Sequence, residues 1–103
     1  MKNTVSFSIA AILLLFPVFV GAYYNPGKPT GFVNDYAGVI NAGQKQALET
    51  KLSQFENDSS NEISVVIISN LKGDTIENFA VKLFEDWKIG KKSNDNGILI
   101  LVT

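Results

Sequence analysis

The sequence predicts an α/β fold in which parallel strands form a sheet covered by helices. Residues 63–68, ISVVII, form a short β-branched run that is typical of a strand buried on both faces. A second all-apolar run covers 98–102, and an amphipathic segment over 74–87 separates the two runs. A strand, a helix and a strand in this order predict a β-α-β unit with parallel strands and a right-handed crossover.

Two helices are predicted from apolar spacing and capping residues. In the helix predicted over 74–87, the apolar residues recur at i, i+3, i+4, i+7, i+8 and i+11. Asp74 and Glu77 predict a capping box at its start, and Gly90 can end it. An earlier helix is predicted to begin at Asn41 with Gln44 as its reciprocal partner. Its expected buried residues are Ala47, Leu48, Leu52 and Phe55, and its expected solvent-facing residues are Lys45, Glu49, Lys51 and Glu56.

The beginning of the chain predicts export. Residues 1–22 combine an early lysine, an apolar run and small residues before a predicted cleavage after Ala22, as in a signal peptide. The alternative is an uncleaved membrane anchor, although the apolar run is short for a span and contains Pro17. We therefore expect a periplasmic or extracellular protein, which a longer chain would hold at the membrane.

The rest of the chain divides into a linker and a partial domain. Residues 23–30 contain two prolines and a glycine, which predict an extended linker, and 31–103 form the domain. Within 32–40, Asn34 and Asp35 are expected in a bend. The apolar residues expected to pack beside this bend are Phe32, Val33, Val39 and Ile40. Two strands and two helices cannot cover a sheet that is apolar on both faces, so we expect the domain to continue past Thr103.

Composition excludes several classes of site from this sequence. It has no histidine, no cysteine and no arginine, since all nine basic residues are lysine. This removes Ser-His-Asp and Cys-His catalysis, the usual zinc ligands and the bidentate phosphate grip of arginine. The net charge of −1 argues against a nucleic-acid partner.

Three aspartates are the candidate metal ligands. Asp35 and Asp74 are expected at the edge where parallel strands end, with the carbonyl groups of Asn34 or Asn70 nearby, and such oxygens suit Ca²⁺ or Mg²⁺. Asp95, in the sequence NDNG, resembles part of a calcium loop but is expected at the opposite edge. The alternative roles are an Asx-turn for Asp35, a helix cap for Asp74 and a plain turn for Asp95.

Four blocks in order resemble the N-terminal part of the TPM domain family. They are TGFVNDYAGVI (30–40), GDTIE (73–77), WKIG (87–90) and NDNGILILV (94–102). The family includes exported bacterial proteins and a plant thylakoid-lumen protein linked to photosystem II repair and acid phosphatase activity. The resemblance implies an α/β domain of about twice this length, often followed by a membrane span, and Asp35 and Asp95 match its acidic positions.

Two functions follow as expectations. One is an accessory binding or assembly module outside the cytoplasm, which a divalent cation stabilises and whose C-terminal region would reach a membrane or a membrane-protein partner. The alternative is a metal-assisted phosphatase acting on phosphate esters, for which this sequence identifies no catalytic residue. A secreted structural domain without a ligand is the third expectation.

Overall fold

The described part of the chain forms a three-stranded parallel sheet with one helix on each face. The computed structural model describes residues 23–91 and 95–103. The elements are β1 (Val33–Asp35), α1 (Ala42–Ser59), β2 (Glu62–Ile67), α2 (Ile76–Trp87) and β3 (Gly97–Val102). The strand order is β1-β2-β3, so β2 is central. The predicted α/β class is therefore confirmed. The predicted signal peptide, residues 1–22, lies outside the described residues.

The central strand separates two apolar clusters. On its α2 face, Val66 and Ile68 pack with Phe79 and Leu83 of α2. On its α1 face, Val65 packs with partners from β1 and α1, chiefly Val33 and Leu52. The β1-α1-β2 and β2-α2-β3 crossovers step across the sheet in the same direction, but their helices lie on opposite faces. The two crossovers therefore have opposite hands, and only one of them is right-handed.

The prediction of a bend at Asn34 and Asp35 is wrong. These residues belong to β1, which pairs in parallel with β2 from Val33 to Asp35. The buried Asn34 side chain is satisfied locally: its Oδ1 accepts from the Thr30 amide at 2.9 Å and its Nδ2 donates to the Gly31 carbonyl at 3.0 Å. These bonds allow a residue of low strand propensity to lie inside the sheet. Packing of Val33 is confirmed.

The capping box at the start of α1 is confirmed in full. The Asn41 side chain accepts from the Gln44 amide at 2.8 Å, and the Gln44 side chain accepts from the Asn41 amide at 3.1 Å. The cap of α2 is corrected: Thr75, not Asp74, is the N-cap, and its hydroxyl accepts from the Asn78 amide at 3.1 Å. Thr75 has the extended backbone of a cap, so α2 begins at Ile76.

Several apolar residues expected to be buried are exposed. Val39 is 68% exposed and Phe55 is 40% exposed, while Ala47 is also exposed and Leu48 is half-buried. Leu52 is the one buried residue of the predicted α1 stripe, and Leu48 packs against the same cluster. The cluster on the α1 face involves β1 and β2 but no residue of β3, so the rest of the stripe has little to pack against.

The predicted linker is extended, but it packs closely on the domain. The rings of Tyr23 and Tyr24 both approach Phe79 edge-on, with centroids 5.0 and 5.1 Å away. The Trp87 indole N–H donates to the Gly27 carbonyl at 2.8 Å. This segment therefore covers part of the α2 face. Neither helix in the described part of the chain has the length and apolar character needed to span a bilayer.

Candidate functional site

The two loops after β1 and β2 meet at the carboxyl edge of the sheet. The amides of Tyr36 and Ala37 donate to the Ile67 carbonyl at 2.9 and 3.2 Å, which joins the end of β1 to the end of β2. Asp35 ends β1, and Asp74 lies in the loop between β2 and α2. Parallel topology therefore brings Asp35 and Asp74 to one edge, where open α/β sheets usually bind ligands.

The Asp35 carboxylate organises the loop that follows it. Its Oδ2 accepts from the Ile40 amide at 2.9 Å. This bond, the Val39 and Gly38 amides and the charge of Lys45 hold the pKa of Asp35 below its ordinary value, against an opposing effect of desolvation. Its Oδ1 is buried and has no hydrogen-bond partner among the described residues. Asp35 thus shapes the loop with one oxygen and leaves the other unpaired.

The Asp74 side chain is already hydrogen-bonded to residues at the start of α2. Its Oδ1 accepts from the Thr75 amide at 2.9 Å and from Asn78 Nδ2 at 3.0 Å, while Oδ2 accepts from the same Nδ2 at 3.1 Å. Although Thr75 is the formal cap, Asp74 still contributes to the start of the helix. Both carboxylate oxygens are therefore engaged in helix-start contacts.

Asp95 lies at the amino edge, far from the other two aspartates. It precedes β3, and its neighbour Asn96 accepts a hydrogen bond from the Glu62 amide at the start of β2. A strand of six residues spans roughly 16 Å, so this separation excludes a ligand set shared with Asp35. Asp95 forms an exposed ion pair with Lys91 at 3.0 Å, and Asp95 itself, rather than the following glycine, has the positive φ of the turn.

The described residues do not fit a cation site built from several carboxylates. Within 23–91 and 95–103, no three acidic, histidine or cysteine side chains come together as a metal would require. Calcium prefers six to eight oxygen ligands, and among the described side chains only Asp35 offers a carboxylate oxygen that is buried and unpaired. The role of Asp35 as a cation ligand stays a prediction.

A cleft of about 220 Å³ lies at the same carboxyl edge, and the one charged residue that lines it is a lysine. Its polar lining includes the Lys72 ammonium, the Ser69 hydroxyl and the Asn70 amide. The Lys72 ammonium lies 4.4 Å from the centre of the Tyr24 ring. Neither Asp35 nor Asp74 lines this cleft. The cleft and the aspartates therefore offer opposite charges to a ligand.

Apolar surface is exposed at β3, in agreement with the expectation that two strands and two helices cannot cover an apolar sheet. Three alternate side chains on the α1 face of β3 are about half exposed: Ile98 (54%), Ile100 (46%) and Val102 (46%). We call them the β3 stripe. On the α2 face, an apolar groove of about 450 Å³ runs between α2 and β3, with Val81, Phe84 and Leu99 among its lining residues. We call it the β3 groove. The all-apolar sequence of β3 predicted apolar surface that the helices leave uncovered, but it did not show which side chains would be exposed.

The two outer edges of the sheet differ. The edge of β1 is closed by the Glu49 carboxylate of α1, which accepts from the Phe32 amide at 3.1 Å and from the Val33 amide at 2.7 Å. The prediction that Glu49 faces water is therefore wrong, because its side chain turns to satisfy these strand amides. The edge of β3 has no neighbouring strand in the described sheet.

A parallel sheet with a helix on each face, and with loops that meet at its carboxyl edge, defines a small α/β domain of the open-sheet class. The family model described as the TPM domain matches residues 33–103, so this chain belongs to the TPM domain family. No curated protein matches the sequence.

Proposed function

We propose that this domain is an accessory assembly module that works outside the cytoplasm at a membrane surface, and that an extended strand pairs along β3. The observation that carries the proposal is the β3 stripe, whose three alternate aliphatic side chains are about half exposed. An isolated exposed aliphatic side chain is ordinary, whereas a row of them on an unpaired strand is typical of an interaction surface.

The backbone of β3 supports strand addition. The carbonyl of Asn96 accepts a hydrogen bond from the Glu62 amide at the start of β2, and the Val102 carbonyl accepts one from the Ile68 amide just after β2. In a parallel pair, the even-numbered residues of β3 therefore direct their backbone groups towards β2. The amides and carbonyls of Leu99 and Leu101 point to the open edge instead. An added strand would bond to these outward groups.

The side-chain surfaces beside this edge suit an apolar strand. Successive side chains of a strand point to opposite faces of a sheet. One set would enter the β3 groove, where Val81 is 56% exposed, and the other would lie next to the β3 stripe. Completing the burial of a half-exposed aliphatic side chain contributes about 1 kcal/mol. Several such contacts and new backbone hydrogen bonds support a stable complex.

The proposal is tested by site-specific photo-cross-linking of the exported chain. A photoreactive amino acid at Ile100 should cross-link to a membrane-associated protein, and Ile100→Lys with the photoreactive group at Ile98 should abolish that product. The matched control is the same group at Val39, which is also exposed but lies in the loop after β1. Equal cross-linking from Val39, or products unaffected by Ile100→Lys, would refute binding along β3.

The second candidate function is a metal-assisted phosphatase, and the carboxyl-edge cleft favours it. Lys72 and the Ser69 hydroxyl in that cleft supply groups that bind phosphate. Phosphate release from a generic ester, measured with and without divalent cation for the wild type and Lys72→Met, tests it. A rate equal to the uncatalysed background in all samples would leave only the assembly function.

The predicted cation at Asp35 has a separate test. If Asp35 Oδ1 binds Ca²⁺, adding the ion should raise the melting temperature of the wild type more than that of Asp35→Asn. The control is Asp58→Asn, which removes the same charge from the exposed end of α1. The same calcium shift in the wild type and Asp35→Asn would remove the cation from the proposal.

A further inference from the structure

A cleft of about 370 Å³ lies at the amino edge of the sheet, away from the carboxyl-edge loops and from the exposed side of β3. Three parts of the chain form it: the segment before β1, the start of β2 and the end of α2. The residues that give it chemical character are Phe32, Glu62, Ser64, Trp87 and Ile89. We call it the amino-edge cleft.

The amino-edge cleft has one charged side chain, and that side chain is negative. Glu62 Oε2 accepts from the Ser64 hydroxyl at 3.0 Å, and Oε1 accepts from the Gly90 amide at 3.3 Å. A carboxylate has about four acceptor positions, so roughly two remain for a ligand. No lysine in the described part of the chain forms an ion pair with Glu62, since the ion pair seen there joins Lys91 to Asp95.

The end of α2 forms one wall of the cleft. Trp87 is the last residue of this 12-residue helix, and its side chain lines the cleft. A helix C-terminus carries about half a negative charge, and the positive C-cap residue Lys88 follows Trp87 directly. The helix end therefore leaves Glu62, the one charged side chain that lines the cleft, to favour a cation over an anion.

The walls of the cleft select an organic cation over a metal ion. The Trp87 indole is held by its hydrogen bond to the Gly27 carbonyl, and the half-buried Phe32 ring and the buried Ile89 side chain complete an apolar lining. Aromatic faces beside a carboxylate are the groups that bind ammonium ions. One carboxylate and the two side-chain hydroxyls of Thr30 and Ser64 are too few oxygens for a calcium shell of six to eight.

We propose that the amino-edge cleft binds an alkylammonium group, with the charged head at Glu62 and its methylene chain against Trp87 and Phe32. A free amine and a lysine side chain of a polypeptide share this chemistry. This inference goes beyond the assembly function, because the cleft shares no residue with the β3 stripe or the β3 groove.

Intrinsic fluorescence provides a direct assay because Trp87 is the sole tryptophan of the chain. Titration with n-butylammonium chloride should change the Trp87 emission saturably, whereas n-butanol, of similar size and uncharged, should not. Two further compounds distinguish a free amine from a polypeptide lysine as the natural ligand. They are lysine with its α-amino group acetylated and its carboxyl group amidated, and norleucine blocked in the same way as the uncharged control. Tighter binding of the lysine compound than of butylammonium identifies a polypeptide lysine, and the reverse order identifies a free amine.

The variant Glu62→Gln should weaken butylammonium binding about tenfold, the effect of losing a charged hydrogen-bond partner. Glu77→Gln removes an equal charge from the opposite end of α2 and should leave binding unchanged. Amide chemical shifts of the wild type give a readout that needs no variant: Ser64 and Gly90 should move with butylammonium. Equal responses to butylammonium and butanol, unchanged binding by a folded Glu62→Gln, or no shift at Ser64 and Gly90 would overturn the proposal.

Discussion

Replacement of Glu49 by alanine is expected to destabilise the fold strongly, because this carboxylate closes the β1 edge. It accepts from the amides of Phe32 and Val33 at 3.1 and 2.7 Å, and Val33 is fully buried. A hydrogen bond to a charged group contributes about 1.5–3 kcal/mol, and water can replace the partner of the less buried Phe32 amide. We therefore expect Glu49→Ala to lower the free energy of unfolding by about 2–3 kcal/mol.

Urea denaturation measures this effect as a shift of the midpoint at constant m-value. Glu56→Ala is the matched control, because Glu56 lies on the same helix with similar exposure and its carboxylate has no hydrogen bond among the described residues. The control should change the free energy of unfolding by less than about 0.5 kcal/mol. Equal midpoints for the two variants would refute the edge-closing role of Glu49.

A double-mutant cycle with Gly31 tests the geometry of the same contact. A Cβ atom added at Gly31 would lie 2.5 Å from Glu49 Oε1, so Gly31→Ala must displace the carboxylate from the two strand amides. The alanine should be destabilising in the wild type and nearly neutral in the Glu49→Ala background. Additive effects of the two substitutions would contradict the close approach.

Three further predictions concern single residues. The lowered pKa of Asp35 means that its ionised form stabilises the fold above about pH 4, and this contribution is lost as pH falls through the folded-state pKa. Asp35→Asn should therefore make the urea midpoint less sensitive to acid. An unchanged pH profile of the midpoint would contradict this. Burial and the Asp86 carboxylate raise the pKa of Tyr23, so the contribution of its neutral hydroxyl to stability is complete below about pH 10 and is lost at higher pH. Between pH 9 and 11, the melting temperature of Tyr23→Phe should fall less than that of the wild type. An equal fall would contradict the contact. A Cβ atom at Gly97 would lie 2.8 Å from backbone atoms of Gly90, so Gly97→Ala should cost about 1–3 kcal/mol in urea denaturation, and a neutral result would exclude this close approach.

The elements with strong periodicity were predictable from the sequence. The β-branched run of β2 and the apolar spacing of α2 each predict one structure, and both are confirmed. Strand β1 was missed because it has three residues and two of them, Asn34 and Asp35, are common in turns. The Asn34 side chain bonds to the Thr30 amide and the Gly31 carbonyl, contacts that no local pattern reveals.

Topology predicted the location of candidate site residues better than their bonding. Following the chain direction placed Asp35 and Asp74 at one edge and Asp95 at the other, as the structure has them. The partners of each side chain depend on loop conformation and could not be predicted. Glu49 illustrates the limit, since its helical position favours solvent exposure while its contacts lie 16 and 17 residues away.

Amide hydrogen exchange along β3 tests the open edge most directly. The amides of Ile98 and Ile100 point to β2 and should exchange slowly, whereas those of Leu99 and Leu101 point outward and should exchange rapidly. This alternation is the predicted result for the free chain, and a bound strand should slow the two outward amides. Slow exchange of Leu99 and Leu101 in the free chain would show that the edge is already covered and would contradict assembly along β3.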